Sequence, residues 1–570
     1  MNLGARWIIV SALILSGGQT GRGEGPSAGF EPYLLEIRPP ADARNGPGDV
    51  RVMRQWRDWL LRAGFSVDRC GVDVAGRRIA LDIEAPDQVQ QLEAAGFSIL
   101  NRRDPVPLGG PARGGPQAAY FDPLEIETML AQVAVDHPTL TNVFTIGTTF
   151  QGRDIWAIEI SDQPGIDEDE PAIQFNGQHH ARELATSHVV MDIVNFLTDS
   201  YGSDMDVTAW VNQYKTVCVP MVNPDGVQYV FDVNNLWRKN RRGNSGCITG
   251  CGGTGVDLNR NYPYLWGPGC GSSGCCVSEI FRGSSALSEQ DSLAMLGLQN
   301  AYHFVMATSY HAFGRFIDYP YACSNGSPSQ QMPEHPVIHE MMNGMADAIS
   351  AVDGVTYTAF SPVPFGGVNG DDTSWYYAHK GVYPFIVEVG TTFEPLFSDV
   401  AGIVNRNRAG WQYLYNRLGE ARIDVHVTDG CQPMTAQITL TDYIFDTGEL
   451  PRLTFLPFGR WTFVVPPGAT YTVRVSRSGF VTQDIPVTVG NTPVAVNIAL
   501  QRVNPPLMGD LNSDCAVDGL DIDLFVQAVL DGSAANPTLI TRGDFTGDCI
   551  VDGNDVSPFV QAVLAGDTCP

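Results

Sequence analysis

The stretch "QFNGQHHARELATSHVV" (Gln174–Val190) decides how the chain is read. "AIQFNG" has the composition of a buried strand, and a helix starts near Thr186. His180 and Glu183 therefore fall in the tight turn between the two. Donors three residues apart in such a turn can meet on one cation. Imidazole nitrogen and carboxylate oxygen suit zinc, at about 2.0–2.2 Å. His-x-x-Glu by itself fits an ordinary capped helix start equally well, so the rest of the chain has to supply what a metal site still needs.

Outward from this turn, residues 120–420 alternate apolar strands with helices. "DIWAIEIS", "KTVCVPMV", "FVMATSYHAF" and "YPFIVEVG" join "AIQFNG" as strands, and "PLEIETMLAQVAVDHP" and "HVVMDIVNFLTDSYG" read as helices. The expectation is an α/β domain around a largely buried sheet. Before it, residues 30–104 read as a small α/β unit ending in Arg102–Arg103, followed by a Pro/Gly-rich linker, 105–119. That unit suits either a propeptide with a cut site after the arginines or an ordinary accessory domain. After it, residues 422–503 switch to a period of two ("RIDVHVT", "TYTVRVSRSG", "VAVNIAL"), which predicts a β-sandwich. Residues 507–570 contain a repeat: "GDLNSDCAVDGLDIDLFVQAVL" recurs as "GDFTGDCIVDGNDVSPFVQAVL".

The chain's 570 residues exceed one core and imply about three to five domains. Its 63 acidic residues against 35 basic ones leave a net charge of -28, which disfavours nucleic acid and anionic membranes as partners. Arg6 and the apolar run Trp7–Leu15, with small residues after it, read as a signal peptide over residues 1–18. No later run is long and apolar enough to span a bilayer. With export, the twelve cysteines read as disulfides. The alternative for Cys247, Cys251, Cys270 and Cys275 is a loosely spaced thiolate zinc site.

"NGQHHAREL" resembles the zinc carboxypeptidase family of carboxypeptidases A and B, in which a His-x-x-Glu pair at a strand end supplies two zinc ligands. The resemblance implies a fold with a mixed, mostly parallel sheet flanked by helices. It implies His180, Glu183 and, at the end of "HFVMATSYHAF", His311 as the ligands of one catalytic Zn2+. His179 then reads as a strand-end neighbour, and His188 as a helix residue away from the metal. Glu388, inside the apolar strand "YPFIVEVG", matches the family's general base; a carboxylate in such a strand is costly unless exposed or functional. "WRKNR" (Trp237–Arg241), preceded by "NPDG", matches the arginine segment. Arg241 would stabilise the oxyanion and Arg238 would serve a subsite. "GVDLNRNY" matches the Asn-Arg pair, so Asn259 and Arg260 would clamp the substrate's terminal carboxylate, with Arg182 on the same side. The cysteines around that motif sit where the family has a disulfide, with the pair undecided. The chain departs from the pattern at Ala312–Phe313, where the family often has Ser-Tyr. It also lacks a clear match to a cleft tyrosine near Phe360, Phe365 and Gly366. The pocket floor should fall near Asp371–Ser374.

The sequence holds two further metal candidates. His335 and His339 lie one helical turn apart, but their glutamates flank them instead of lying between. In the repeats, oxygen side chains stand at calcium-loop spacing: Asp510, Asn512, Asp514, Asp518, Asp521 and Asp544, Thr546, Asp548, Asp552, Asp555. Cys515 and Cys549 replace the glycine at position 6. Twice an aspartate at position 12 is followed by an apolar helix, which resembles a dockerin module. That resemblance implies two structural Ca2+ and a cohesin-type partner.

The expectation is thus a secreted zinc metallocarboxypeptidase. It would hydrolyse the C-terminal bond of peptides or proteins with zinc-activated water and Glu388 as base, and the C-terminal module would be an attachment point at the cell surface. Two alternatives keep the fold: a non-catalytic peptide-binding module, or a peptidase acting on peptidoglycan stem peptides.

Overall fold

The structure, a computed structural model, describes residues 33–40, parts of 56–104, 119–243, 253–268, 271–318, 320–321, 332–360, 368–503 and 505–569. The expected signal peptide, most of the 105–119 linker, Cys247, Cys251, Cys270, Cys323, Phe365, Gly366 and the side chain of Phe360 lie outside these residues.

Four strands open the described chain: β1 (Tyr33–Arg38), β2 (Val72–Asp73), β3 (Arg78–Ile83) and β4 (Ser98–Arg103). They pair antiparallel in the order β2-β3-β1-β4, with helix α1 (Gln88–Ala94) leading into β4. Ile37, Ile79, Leu81, Ile83 and Leu92 form this unit's own core. Leu34 and Ala80, on the same strands, join the main core instead, so the unit packs onto the central domain. Arg102 and Arg103 are in the ladder, opposite Leu35 and Leu34.

Helix α2 (Pro123–Asp136) begins the central domain with a reciprocal cap between Asp122 and Glu125 and a proline in its first turn, which satisfies backbone N–H groups that have no partner inside the helix. There follow β5 (Thr141–Thr148), β6 (Asp154–Ile160), β7 (Ala172–Gly177), α3 (Ala185–Ser200), α4 (Met205–Val211), β8 (Lys215–Val219) and α5 (Pro224–Asp232). Next come α6 (Gln290–Ala301), β9 (Phe304–Ala312), β10 (Phe316–Asp318), α7 (His335–Ala351) and β11 (Thr358–Phe360). The domain closes with α8 (Asp372–Trp375), a π-helical turn (Tyr376–Lys380), β12 (Tyr383–Val389) and α9 (Phe397–Leu418). The eight strands run β11-β10-β12-β9-β7-β8-β6-β5. The pairs β12·β9, β9·β7, β7·β8 and β10·β11 are parallel and the rest antiparallel, so the sheet is mixed with a parallel centre. β7, β8, β9 and β12 are buried along their whole length, which is why they read as unbroken apolar runs.

Beyond α9, β13 (Arg422–Thr428), β14 (Gln437–Leu440), β15 (Arg452–Leu453), β16 (Arg460–Val464), β17 (Ala469–Ser476), β18 (Gln483–Val489) and β19 (Val494–Ala499) form two sheets. Their orders are β16-β13-β19 and β15-β14-β17-β18, and both face one core that includes Ile423, Val425, Ile438, Phe463 and Val473. The alternating burial along β13 is the period of two made physical.

The repeats give helices α10 (Ile522–Asp531), α11 (Pro537–Gly543) and α12 (Val556–Ala565). Phe525 and Phe559, equivalent in the two repeats, stack at 3.9 Å between ring centroids. Cys515 and Cys549 adopt φ of +69°, the left-handed conformation that a glycine at this position would supply. Both are in disulfides: Cys515–Cys569 closes the module on itself, and Cys431–Cys549 joins it to the sandwich. Among the described residues, no helix is long and apolar enough to cross a membrane.

Candidate active site

The site forms where the parallel centre of the sheet ends. His180 lies three residues beyond β7, His311 is the penultimate residue of β9, and Glu388 is the penultimate residue of β12. Open α/β sheets place ligands outside the carboxyl ends of their strands. The turn after β7 is compressed: a Cβ on Gly177 would stand 3.2 Å from the Thr186 backbone and 3.3 Å from the Pro220 carbonyl. Thr186 holds the other side, donating to the Glu183 carbonyl at 2.7 Å and accepting from the Gln178 N–H at 3.1 Å.

This packing brings the three expected metal donors together. His180 Nδ1 lies 2.7 Å from Glu183 Oε1, His311 Nδ1 lies 3.1 Å from Glu183 Oε2, and the two Nδ1 atoms are 3.1 Å apart. All three side chains are buried. Burial works against a charged Glu183, yet the two histidines hold its carboxyl well below the usual range. Burial and the Arg238 charge oppose protonation of His180; Glu183 and Asp257 outweigh them and raise its pKa. Burial lowers that of His311. Two imidazole nitrogens and an anionic carboxylate converging on one point form a donor set that fits zinc.

Behind the donors stands a residue to which the sequence reading gave no role. Asp257 Oδ1 is 3.3 Å from His180 Nε2, the ring nitrogen turned away from the donor cluster. Carboxylates in this position orient metal-binding histidines and increase their basicity. Its only trace in the sequence was its place inside "GVDLNRNY". Burial opposes its charge, but Arg238 and Arg260 hold the Asp257 carboxyl well down. Glu388 is fully buried and sits in register beside His311 on one side and Phe316 on the other.

The arginines are placed less uniformly. Arg238 is fully buried, donating to Asp257 Oδ2 at 2.9 Å and 3.8 Å from Glu183, so it braces the donors from behind. Asn259 Nδ2 is 3.2 Å from His311 Nε2, and its Oδ1 accepts from the Asp372 N–H at 2.9 Å. Arg260 is fully buried and donates to the Gly271 and Asn259 carbonyls, both at 2.7 Å. Arg241 lies over the rings of Tyr229 and Trp237, at 3.6 and 4.6 Å, and is not among the donors. Arg182 is held by the N-terminal unit: Asp82 of β3 takes its guanidinium in a fork of 2.8 and 3.0 Å, and Phe393 stacks on it at 4.1 Å.

The other histidines take no part in the cluster. His179 turns to the Tyr262 hydroxyl at 3.0 Å, and burial pushes its pKa down to about 4. His188 stacks on Phe121 from within α3, also near 4 through burial. His335 and His339 stack on each other on α7, and among the described residues no third donor joins them. Cys275 and Cys276 are disulfide-bonded. In the repeats, Asp510 accepts from the Asp514 and Cys515 N–H groups, and Asp544 from Gly547, Asp548 and Cys549.

Residues 126–409 match the family described as zinc carboxypeptidase. A "Zinc carboxypeptidase" of Saccharothrix mutabilis subsp. capreolus is 34% identical over 35% of this chain and 49% of its own length. A "Metallocarboxypeptidase A" of Arthroderma otae is 34% identical over 40% and 53%. "Carboxypeptidase B" of Bos taurus is 30% identical over 46% and 61%. The chain therefore spans about half to three fifths of these relatives. Among solved structures, thrombin activatable fibrinolysis inhibitor aligns over 68% of this chain and 98% of its own, with a TM-score of 0.53 at 20% identity. Carboxypeptidase A from Helicoverpa armigera aligns over 67% and 95%, also at 0.53 and 20%. At that identity the likeness is one of fold.

Proposed function

We propose that this chain hydrolyses the C-terminal peptide bond of peptides or proteins, a reading supported by the match of residues 126–409 to the zinc carboxypeptidase family. The observation that carries the proposal is the convergence of His180, Glu183 and His311 within 3.1 Å, with Glu388 beside His311 in the sheet. Zinc held by those three residues would supply Lewis-acid chemistry, lowering the pKa of a water to about 7 and polarising a carbonyl.

In this reading the chain's own residues do the rest. Glu388 accepts the proton of the attacking water and returns it to the leaving amine. Asp257 and Arg238 hold the donors in place from behind. Asn259 and Arg260 engage the substrate's terminal carboxylate from the loop beside His311, and Asp371–Ser374 line the pocket for the last side chain. Arg241 stabilises the oxyanion, a role that requires its guanidinium to leave the Tyr229 and Trp237 rings. Arg182 helps Asn259 and Arg260 on the same side once Asp82 departs. That last pairing supports residues 30–104 as a propeptide whose carboxylate occupies a substrate-binding arginine.

The same proposal extends to the rest of the chain. Residues 1–18 direct export, the two aspartate-rich loops each take a Ca2+, and the repeat module attaches the enzyme to a cohesin-type partner. The carboxylates already turned toward backbone N–H groups inside each loop support the calcium reading.

Zinc content and the assay of one peptide with a free or an amidated C-terminus test the central claim. One equivalent of zinc and loss of most activity on the amide are expected. Equal cleavage of both peptides would overturn the carboxylate clamp.

A further inference from the structure

The sandwich contacts the central domain at several points, and one of them is a buried ion pair. Arg452 of β15 is buried and forms an ion pair with Glu334, itself fully buried just before α7. Glu334 is also the meeting point of two tyrosines. Tyr377 donates to Glu334 Oε2 at 3.1 Å and accepts from the Glu334 N–H at 3.2 Å. Tyr383 donates to Glu334 Oε1 at 2.8 Å, and its oxygen accepts from the Val464 N–H of the sandwich at 3.2 Å.

These two tyrosines bracket a short segment that matters to the site. Tyr377 belongs to the π-helical turn, and Tyr383 is the first residue of β12, the strand that carries Glu388 as its penultimate residue. The sandwich presses on this segment elsewhere too. The Leu450 N–H donates to the Ala378 carbonyl at 2.8 Å. Gly381, at φ +69°, has no room for a side chain: a Cβ would stand 2.7 Å from Trp461 and 2.9 Å from Arg452. On its other face the segment touches the site. The Asp372 N–H is held by Asn259, Trp375 stacks on Tyr262 at 5.2 Å, and Tyr376 accepts from Gln174 at 3.2 Å.

We propose that Arg452 is a positioning residue. Through Glu334, Tyr377 and Tyr383, the sandwich sets where the Asp371–Gly381 segment and β12 sit, and so fixes the shape of the side-chain pocket and the reach of Glu388. This inference rests on the hydrolysis proposed above. Its chemistry is that of a buried ion pair: removing the arginine leaves Glu334 charged beneath two hydroxyls, and the tyrosines that bracket the segment must re-form their bonds. Small displacements of a catalytic group are costly; a shift of about 1 Å can lower rates on the order of a hundredfold.

The test uses the full-length, zinc-loaded protein and the variants Arg452→Lys, Arg452→Met and Tyr383→Phe. A series of blocked dipeptides differing in the C-terminal residue gives kcat, KM and the order of preference. Hydrogen exchange over residues 371–388 reads the segment directly. The expected result is unchanged zinc content, faster exchange in that segment, and a fall in kcat/KM on the order of tenfold or more for Arg452→Met. The order of preference should change, with Arg452→Lys in between. A merely structural role would lower Tm and leave the preference order and the kcat of folded enzyme alone, and that outcome would overturn the proposal. If Arg452→Met does not fold, Tyr383→Phe keeps the ring, removes the hydroxyl, and decides by the same readouts. A wild type that cleaves none of the dipeptides overturns the hydrolysis; exchange in the variants then decides the positioning role by itself.

Discussion

The donor cluster of the central domain and the paired loops of the C-terminal repeats both gather metal-type ligands, by opposite routes. In the cluster, Glu183 and His311 meet across 128 residues of chain, and Glu388 is added from a third strand. In each loop the oxygens come from one run of twelve residues, Asp510–Asp521 or Asp544–Asp555. The cluster exists only because a buried sheet brings strand ends together, and its side chains have no exposure to lose. The loops are shaped locally, by carboxylates accepting backbone N–H groups, and depend on outside supports: the Phe525–Phe559 stack and two disulfides. Proximity achieved through a sheet is set by long-range packing; proximity achieved within a loop is set by local hydrogen bonds and the disulfide staples.

The sharpest break in that comparison would come from Glu388→Gln. It should retain zinc and lower turnover about 10²–10⁴-fold, measured on a good peptide substrate. A variant with near-normal turnover would remove Glu388 as the base. Asp257→Asn should come next. It keeps the shape but loses the charge behind His180, and zinc affinity should fall about 10–100-fold in competition with a graded chelator. The loops should respond separately. Stripping calcium with a selective chelator should destabilise the repeat module by about 2.7 kcal/mol per loop relative to calcium at a hundred times its Kd. Peptide hydrolysis should be unaffected, and a parallel loss of activity would end the idea that the two regions are independent.

The smallest effect is one of pH. Burial pushes the Asp291 carboxyl up to about 7, against an ordinary value near 3.8. An acid raised in the folded state contributes stability that is fully present below its unfolded pKa and lost as the pH rises through its folded one. Asp291→Asn should therefore match the wild type near pH 4 and melt measurably higher at pH 8. Equal melting at both pH values would show that the buried carboxyl titrates as it does in the unfolded chain.

Much of the fold was legible because burial leaves a mark on sequence. Strands covered on both faces read as apolar runs, and β13, covered on one face, reads as alternation. His180, Glu183, His311 and Glu388 could be named because each matches a position of the zinc carboxypeptidase pattern at or near the end of such a run; position alone would have left them ordinary residues. Asp257 could not be separated from its motif, since nothing in "GVDLNRNY" says which side chain turns toward His180. Arg182 and Arg238 were legible as arginines but not as partners. One is held by Asp82, 100 residues upstream, and the other by Asp257. Cys515 and Cys549 were legible as loop residues, yet their bridges reach Cys569 and, 118 residues away, Cys431.

Periodicity and local spacing are properties of the chain, so the main strands, helices and loops, and the residue types that could bind a cation, can be read along it. Only the tertiary structure decided which donors meet and which arginines are already taken. It alone revealed that Arg452 of the sandwich grips the segment leading to Glu388. Those are pairings between distant residues, set by how buried surfaces pack, and no local pattern encodes them.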